Sequence, residues 1–238
     1  MFEGGFKDRR ILVVAPHADD EAIGCGGLIL KAVKQGATVA ILVVSVGDLV
    51  RIGDGGEKRT GAERVDEVEE VRKFLGAHEA EVFMTDEQRH MRLDAIPRRD
   101  LVAVLEREAR LSVQNFKPHL VLLPAPSYNQ DHEAVCRAGI TACRPHDPKA
   151  LSVPPAVWLY EYPPNSWCLP HERFLPNVYV DITEHLEGKL DSYRLYRSQA
   201  RSGMHQNSPE NIKTLALLRG REVGVEAAEA YQAMRILL

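Results

Sequence analysis

Acidic and imidazole side chains crowd into Pro16-His17-Ala18-Asp19-Asp20-Glu21, directly after a short apolar run, and again into Asn129-Gln130-Asp131-His132 after another such run. His17 and Asp20 are three positions apart. Across a strand-to-helix turn that spacing lets an imidazole and a carboxylate face one point, a donor pair suited to Zn²⁺ or a similar divalent transition ion such as Fe²⁺. Two ligands do not make a site, and His132, at the end of a different strand, supplies the third. Two histidines and one carboxylate leave a coordination position for water, whose pKa the metal lowers toward about 7, so hydrolysis is the chemistry this set supports. Asp19, between the first two ligands, is placed to take the proton of that water as general base. Asp131 is placed to hold a neighbouring ligand or base by a hydrogen bond. The structural alternatives are a plain turn carboxylate for Asp19 and an N-terminal helix cap ahead of His132 for Asp131.

These residues need strands that end near one another. Ile11 to Ala15 is a continuous β-rich run closed by Pro16, the pattern of a strand buried on both faces of a parallel sheet. Asp20 to Gln35 carries helical spacing and stops at Gly36, and Thr38 to Ser45 reads as a second buried strand. A Gly-rich, charged stretch from Gly47 to Gly61 is expected to be a mobile loop, followed by an amphipathic helix over Ala62 to Leu75 that ends at Gly76. Glu81 to Met84 is a weak third strand, Ala95 to Asn115 a helix, His119 to Leu123 a fourth strand, and Asp131 to Cys143 a helix. The stretch from Arg144 to Pro176 is rich in Pro, with strands expected at Ala156 to Tyr160 and Asn177 to Ile182. Thr183 to Leu238 reads as mostly helical. The alternation predicts an α/β fold: a Rossmann-like, doubly wound, mostly parallel sheet with helices on both faces and right-handed crossovers. In such sheets ligands bind outside the carboxyl ends of the strands, where both polar clusters fall.

A chain of 238 residues with 45% hydrophobic content can bury a full core, and we read residues 1–238 as one domain. The net charge is −4 with positive and negative residues mixed along the chain, so there is no basic field to attract nucleic acid or an anionic membrane surface. The four cysteines lack the close pairs of a zinc knot, and the polar start, Met1 to Arg10, is followed by an apolar run at Ile11 to Ala15 too brief for a signal core or a membrane span. A cytoplasmic protein without membrane insertion is expected, with a homo-oligomer left open. The Gly24 to Gly27 cluster lacks the Gly-x-Gly-x-x-Gly spacing, and the acidic residues before it would repel a pyrophosphate.

Taken together, Pro16-His17-Ala18-Asp19-Asp20-Glu21, Gly24-Cys25-Gly26-Gly27 and Asn129-Gln130-Asp131-His132 resemble the motifs of the LmbE-like, or PIG-L, family of N-acetylglucosaminyl de-N-acetylases. A weaker signature matches at Arg64, Glu67 and Leu75-Gly76. The resemblance implies zinc held by His17, Asp20 and His132, Asp19 as general base, and a small-molecule amino sugar as substrate. It also implies that Arg64 faces the site and binds a substrate hydroxyl, phosphate or carboxylate; the alternative is a solvated helix face. Two departures stand out. Ala18 replaces the family's Pro, which alters only turn rigidity. Asn129 stands where many members carry His, and an amide cannot act as an acid at neutral pH. Asp19 would then return the proton, with Asn129 donating a hydrogen bond to substrate or oxyanion, or serving only as a turn former. His90 reads as a surface residue more readily than as a substrate contact. The expected reaction is hydrolysis of an N-acyl amide on an amino sugar. A metal-dependent amidase or esterase on a non-sugar substrate, and a catalytically silent carbohydrate-binding relative, are the rival readings.

Overall fold

The computed structural model describes residues 5–50 and 58–237. The strand β1 (Arg10–Ala15) leads into α1 (Asp20–Lys34) and β2 (Thr38–Ser45). Two short strands follow, β3 (Leu49–Val50) and β4 (Lys58–Arg59), then α2 (Gly61–Leu75) and β5 (Glu79–Met84). Next come α3 (Arg98–Ala103), α4 (Val113–Phe116), β6 (Leu120–Pro124), α5 (Gln130–Ala142) and β7 (Ala156–Tyr160). The chain ends through β8 (Val178–Asp181), α6 (Leu186–Arg194), α7 (Pro209–Val223) and β9 (Ala228–Ile236).

Seven strands form one sheet in the order β5-β2-β1-β6-β7-β9-β8. The pairs from β5 to β7 are all parallel, while β9 runs antiparallel to both β7 and β8. Strand alternation divides the core into two layers. Ile11, Val13 and Ala15 pack with Leu28, Val71, Leu190 and Ile212 from α1, α2, α6 and α7. Leu12 and Val14 face the other way, onto Leu101, Val113 and Val135 from α3, α4 and α5. Both faces of the sheet are therefore covered, which is why β1 and β2 read as unbroken apolar runs.

The α/β, mostly parallel architecture agrees with the expectation, and two local readings are corrected. The single helix expected over Ala95 to Asn115 is broken into α3, a π-helical turn at Val104–Glu108 and α4. The last third is not mostly helical, because β9 runs as a nine-residue strand between β7 and β8. The expected mobile loop falls partly on residues 51–57, outside the described ones, and its flanks pair as β3 and β4. The capping box of Thr60 with Glu63 and the left-handed Gly76 (φ 70°) fix α2 at both ends.

Strand β9 matters to the site because it brings Glu229 beneath α1. Glu229 accepts hydrogen bonds from the backbone N–H groups of Gly27 (2.8 Å) and Leu28 (2.7 Å) and from Tyr231 Oη (2.7 Å), and it pairs with buried Lys189. These bonds tether the helix that starts at Asp20. The glycines of α1 permit this close seat: a Cβ on Gly27 would lie 2.6 Å from Ile182 Cγ2. Gly27→Val is expected to lower the free energy of unfolding by about 2–3 kcal/mol, since overpacking outweighs the smaller gain in helix propensity. A urea midpoint equal to that of the unmodified protein would contradict this packing.

Candidate metal centre

The sheet reverses its winding between β1 and β6: from β1 the chain builds outward through β2 to β5, and β6 and β7 extend the opposite side. A crevice at the carboxyl ends of two such strands is where an open α/β sheet binds its ligand. His17, Asp19 and Asp20 leave β1 there, and Asp131 and His132 occupy the first turn of α5 after β6. All five side chains are buried.

One donor atom each from His17, Asp20 and His132 lies within 4.8 Å of the other two. His17 Nδ1 is 3.6 Å from Asp20 Oδ2, and His132 Nε2 is 3.2 Å from Asp20 Oδ1. Asp20 Oδ2 also accepts the backbone N–H of His17 at 2.9 Å, which closes the turn. Burial raises the pKa of Asp20, yet the two imidazoles beside it outweigh that and hold the carboxyl below its ordinary range. Two imidazole nitrogens and an ionised carboxylate converging in a buried pocket fit a divalent transition ion.

The opposite nitrogen of His17 is fixed as well. His17 Nε2 lies 2.8 Å from Asp131 Oδ2, and the other oxygen of Asp131 accepts the backbone N–H of Leu93 at 2.9 Å. A carboxylate only accepts, so the proton sits on Nε2 and the Nδ1 lone pair faces Asp20 and the shared centre. Capping of α5 falls to Asn129 instead, whose Oδ1 accepts the N–H of Asp131 at 3.0 Å. Asp131→Asn is expected to weaken zinc affinity about 10- to 100-fold with the fold retained. A zinc-competition titration reads this, and an unchanged affinity would deny Asp131 its role in orienting His17.

Asp19 occupies strained backbone, with φ 121° and ψ −26°, and its side chain makes no cap hydrogen bond to α1. Positive φ costs a residue with a Cβ on the order of 1–3 kcal/mol, a cost that clusters where geometry serves function. Burial pushes its carboxyl well above the usual range, as do the charges of Asp20 and Glu21, against the opposing pull of Arg64 and Arg201.

Arg64 is completely buried, so it is not a solvated helix face. Its Nη1 donates to Gly47 O at 2.6 Å and meets His90 Nε2 at 2.8 Å, while Nε and Nη2 have no partner among the described residues. His90, expected at the surface, is also buried, with its ring 5.7 Å from that of His17 in an edge-on arrangement. Because Arg64 can only donate, His90 Nε2 accepts, and its Nδ1–H donates to Ser45 Oγ at 3.0 Å. Burial, with the charge of Arg64 beside it, drops the His90 pKa to about 3 and keeps the ring neutral.

Tyr162, just beyond β7, stacks on His132 at 4.5 Å between ring centroids, and its hydroxyl meets Ser127 Oγ at 2.9 Å. Sequence reasoning passed over Tyr162 and Arg201. The first follows a strand's carboxyl end and could have been found by that rule. The second sits in the irregular segment between α6 and α7, where no local pattern marks it.

The model of the PIG-L family, described as GlcNAc-PI de-N-acetylase, matches residues 12–143, a span that contains all three ligand-type residues and Asp19. The chain belongs to the PIG-L family. Diacetylchitobiose deacetylase of Thermococcus kodakarensis is 26% identical over 240 residues, covering 94% of this chain and 83% of that protein. The solved N,N'-diacetylchitobiose deacetylase from Pyrococcus horikoshii is similar with a TM-score of 0.72 and 24% identity, over 98% of this chain and 87% of that one. GalB, a 4-carboxy-2-hydroxymuconate hydratase from Pseudomonas putida, shares the fold with a TM-score of 0.64 and 22% identity, over 97% and 98% of the two chains. This PIG-L fold thus also occurs in a protein named for a different reaction, and the site has to carry the functional argument.

Proposed function

We propose that the chain is a zinc-dependent hydrolase that removes an N-acetyl or related N-acyl group from an amino sugar of the N-acetylglucosamine type. The observation that carries this reading is the convergence of His17, Asp20 and His132 beside an Asp19 whose carboxylate does no capping work. Membership of a de-N-acetylase family and a diacetylchitobiose deacetylase relative support the substrate class. His17, Asp20 and His132 would hold the ion, which when bound polarises the amide carbonyl and acidifies a coordinated water.

The chain's own residues do the rest. Asp131 keeps His17 in the tautomer that leaves Nδ1 free. Asp19 takes the proton of the attacking water and returns it to the nitrogen of the departing amine, because Asn129 has no acidic proton to give. Asn129 contributes its amide Nδ2 as a donor toward the substrate carbonyl, its Oδ1 being held by the α5 cap. Arg64 directs the Nε and Nη2 donors that lack partners among the described residues toward a hydroxyl or an anionic group of the substrate.

The rival reading is a silent carbohydrate-binding relative, favoured by Asn129 alone. Incubating the zinc-loaded protein with a panel of N-acetylated sugars and measuring free amine separates the two. Release of amine with at least one sugar is expected, whereas binding without release would favour the silent relative. Among the described residues no helix is long and apolar enough to cross a membrane. The free cysteines, three of them buried, support a reducing cytoplasm as its setting.

A further inference from the structure

The chain has two tryptophans, and they are treated oppositely by the fold: Trp158 is 3% exposed in β7, while Trp167 is 74% exposed. Tyr128, one residue from the Ser127 that meets Tyr162, is 53% exposed. An exposed Trp leaves a large apolar surface in water, and a second exposed ring close by in the fold makes the placement informative.

The backbone that carries these rings is held firmly. Tyr128 N donates to Trp167 O at 3.2 Å, and Trp167 N donates to Pro164 O at 3.0 Å. Asn165 Nδ2 donates to Pro126 O at 2.7 Å and to Ala125 O at 3.3 Å, while its Oδ1 accepts Tyr162 N–H at 2.7 Å. The loop after β6 and the loop after β7 are thereby stitched together beside His132, on which Tyr162 stacks. Gln206, from the segment between α6 and α7, donates to Tyr128 Oη at 2.5 Å and fixes that ring from a third direction.

We propose that Trp167 and Tyr128 form a platform for a second sugar ring, the one bonded to the amino sugar that is deacylated; this rests on the function proposed above. A pyranose has one face of C–H bonds that packs on an aromatic ring and an edge of hydroxyls that needs hydrogen-bond partners. Tyr128 Oη and Gln206 offer such partners next to the rings, a combination that an aliphatic chain would not use. Holding the backbone of both residues and the Tyr128 ring before binding reduces the ordering cost and turns the contact into affinity. The platform sets substrate length, favouring an oligosaccharide or glycoside over the lone monosaccharide.

The test compares N,N'-diacetylchitobiose with N-acetylglucosamine, using zinc-loaded protein. Trp167→Ala is expected to raise KM for the disaccharide about 10-fold, the upper range of an aromatic contact, with kcat and the monosaccharide kinetics unchanged. Trp167→Phe should restore most of the loss. Independently of turnover, the disaccharide should shift tryptophan emission in the unmodified protein and not in Trp167→Phe, where only buried Trp158 remains. Unchanged emission together with an unchanged disaccharide KM in Trp167→Ala overturns the platform while leaving a deacetylase that still releases amine. A shift without any amine release supports the platform and retires the catalytic reading. An equal KM increase for a monosaccharide carrying an alkyl aglycone assigns the rings to an apolar group and overturns the sugar platform.

Discussion

In zinc-loaded protein, Asp19→Asn is expected to retain the added metal and to lose about 10²- to 10⁴-fold in kcat, the range for removal of a positioned general base, the role proposed for it. The two carboxylates that follow β1 sit in different surroundings. Asp20 is tied to His17 and His132, whereas Asp19 has strained backbone and a side chain that makes no cap hydrogen bond to the helix it precedes. Asparagine preserves size and, like aspartate, tolerates positive φ better than most residues, so the fold should be retained. Its amide cannot accept and hand on a proton. Steady-state rates and metal content measured on the same sample separate chemistry from binding. A near-normal rate with a full complement of metal would remove Asp19 from the proton path.

His132→Ala is expected to abolish measurable turnover by removing a proposed metal ligand and the ring that Tyr162 stacks on. Loss of an ion that stabilises the transition state by several kcal/mol corresponds to a decrease on the order of 10³-fold or more. The truncation also leaves a small cavity, costing about 1–3 kcal/mol of stability, less than a domain of this size ordinarily holds. Circular dichroism at the assay temperature should therefore match that of the unmodified protein. A folded His132→Ala variant that still deacylated at the original rate would show that catalysis proceeds elsewhere.

What could be read from the sequence, and what could not, follows from where local pattern is decisive. β2 and β7 have the predicted bounds because strands covered on both faces must be apolar throughout. His17, Asp20 and His132 were legible because each follows a strand whose end is marked by Pro16 or Pro124. β9 was not, since Ala228, Glu229, Gln232, Met234 and Arg235 are helix-favouring residues that the neighbouring strands drew into the sheet. With β9 misread, Glu229 could not be recognised as the tether of α1. His90 hides between Arg89 and Met91 and reads as surface, and only the tertiary fold turns it toward His17, Ser45 and Arg64. The break in the expected Ala95 to Asn115 helix is equally non-local, for no Gly or Pro interrupts Arg98 to Phe116.

The central claim is that three side chains remote in sequence hold one ion. Titrating metal-stripped protein with zinc, by calorimetry and by metal analysis after dialysis, tests it most directly. One ion per chain is expected, with binding lost in His17→Ala and in Asp20→Ala although both variants stay folded. A chain that takes up no ion, or one whose affinity survives both substitutions, would contradict it.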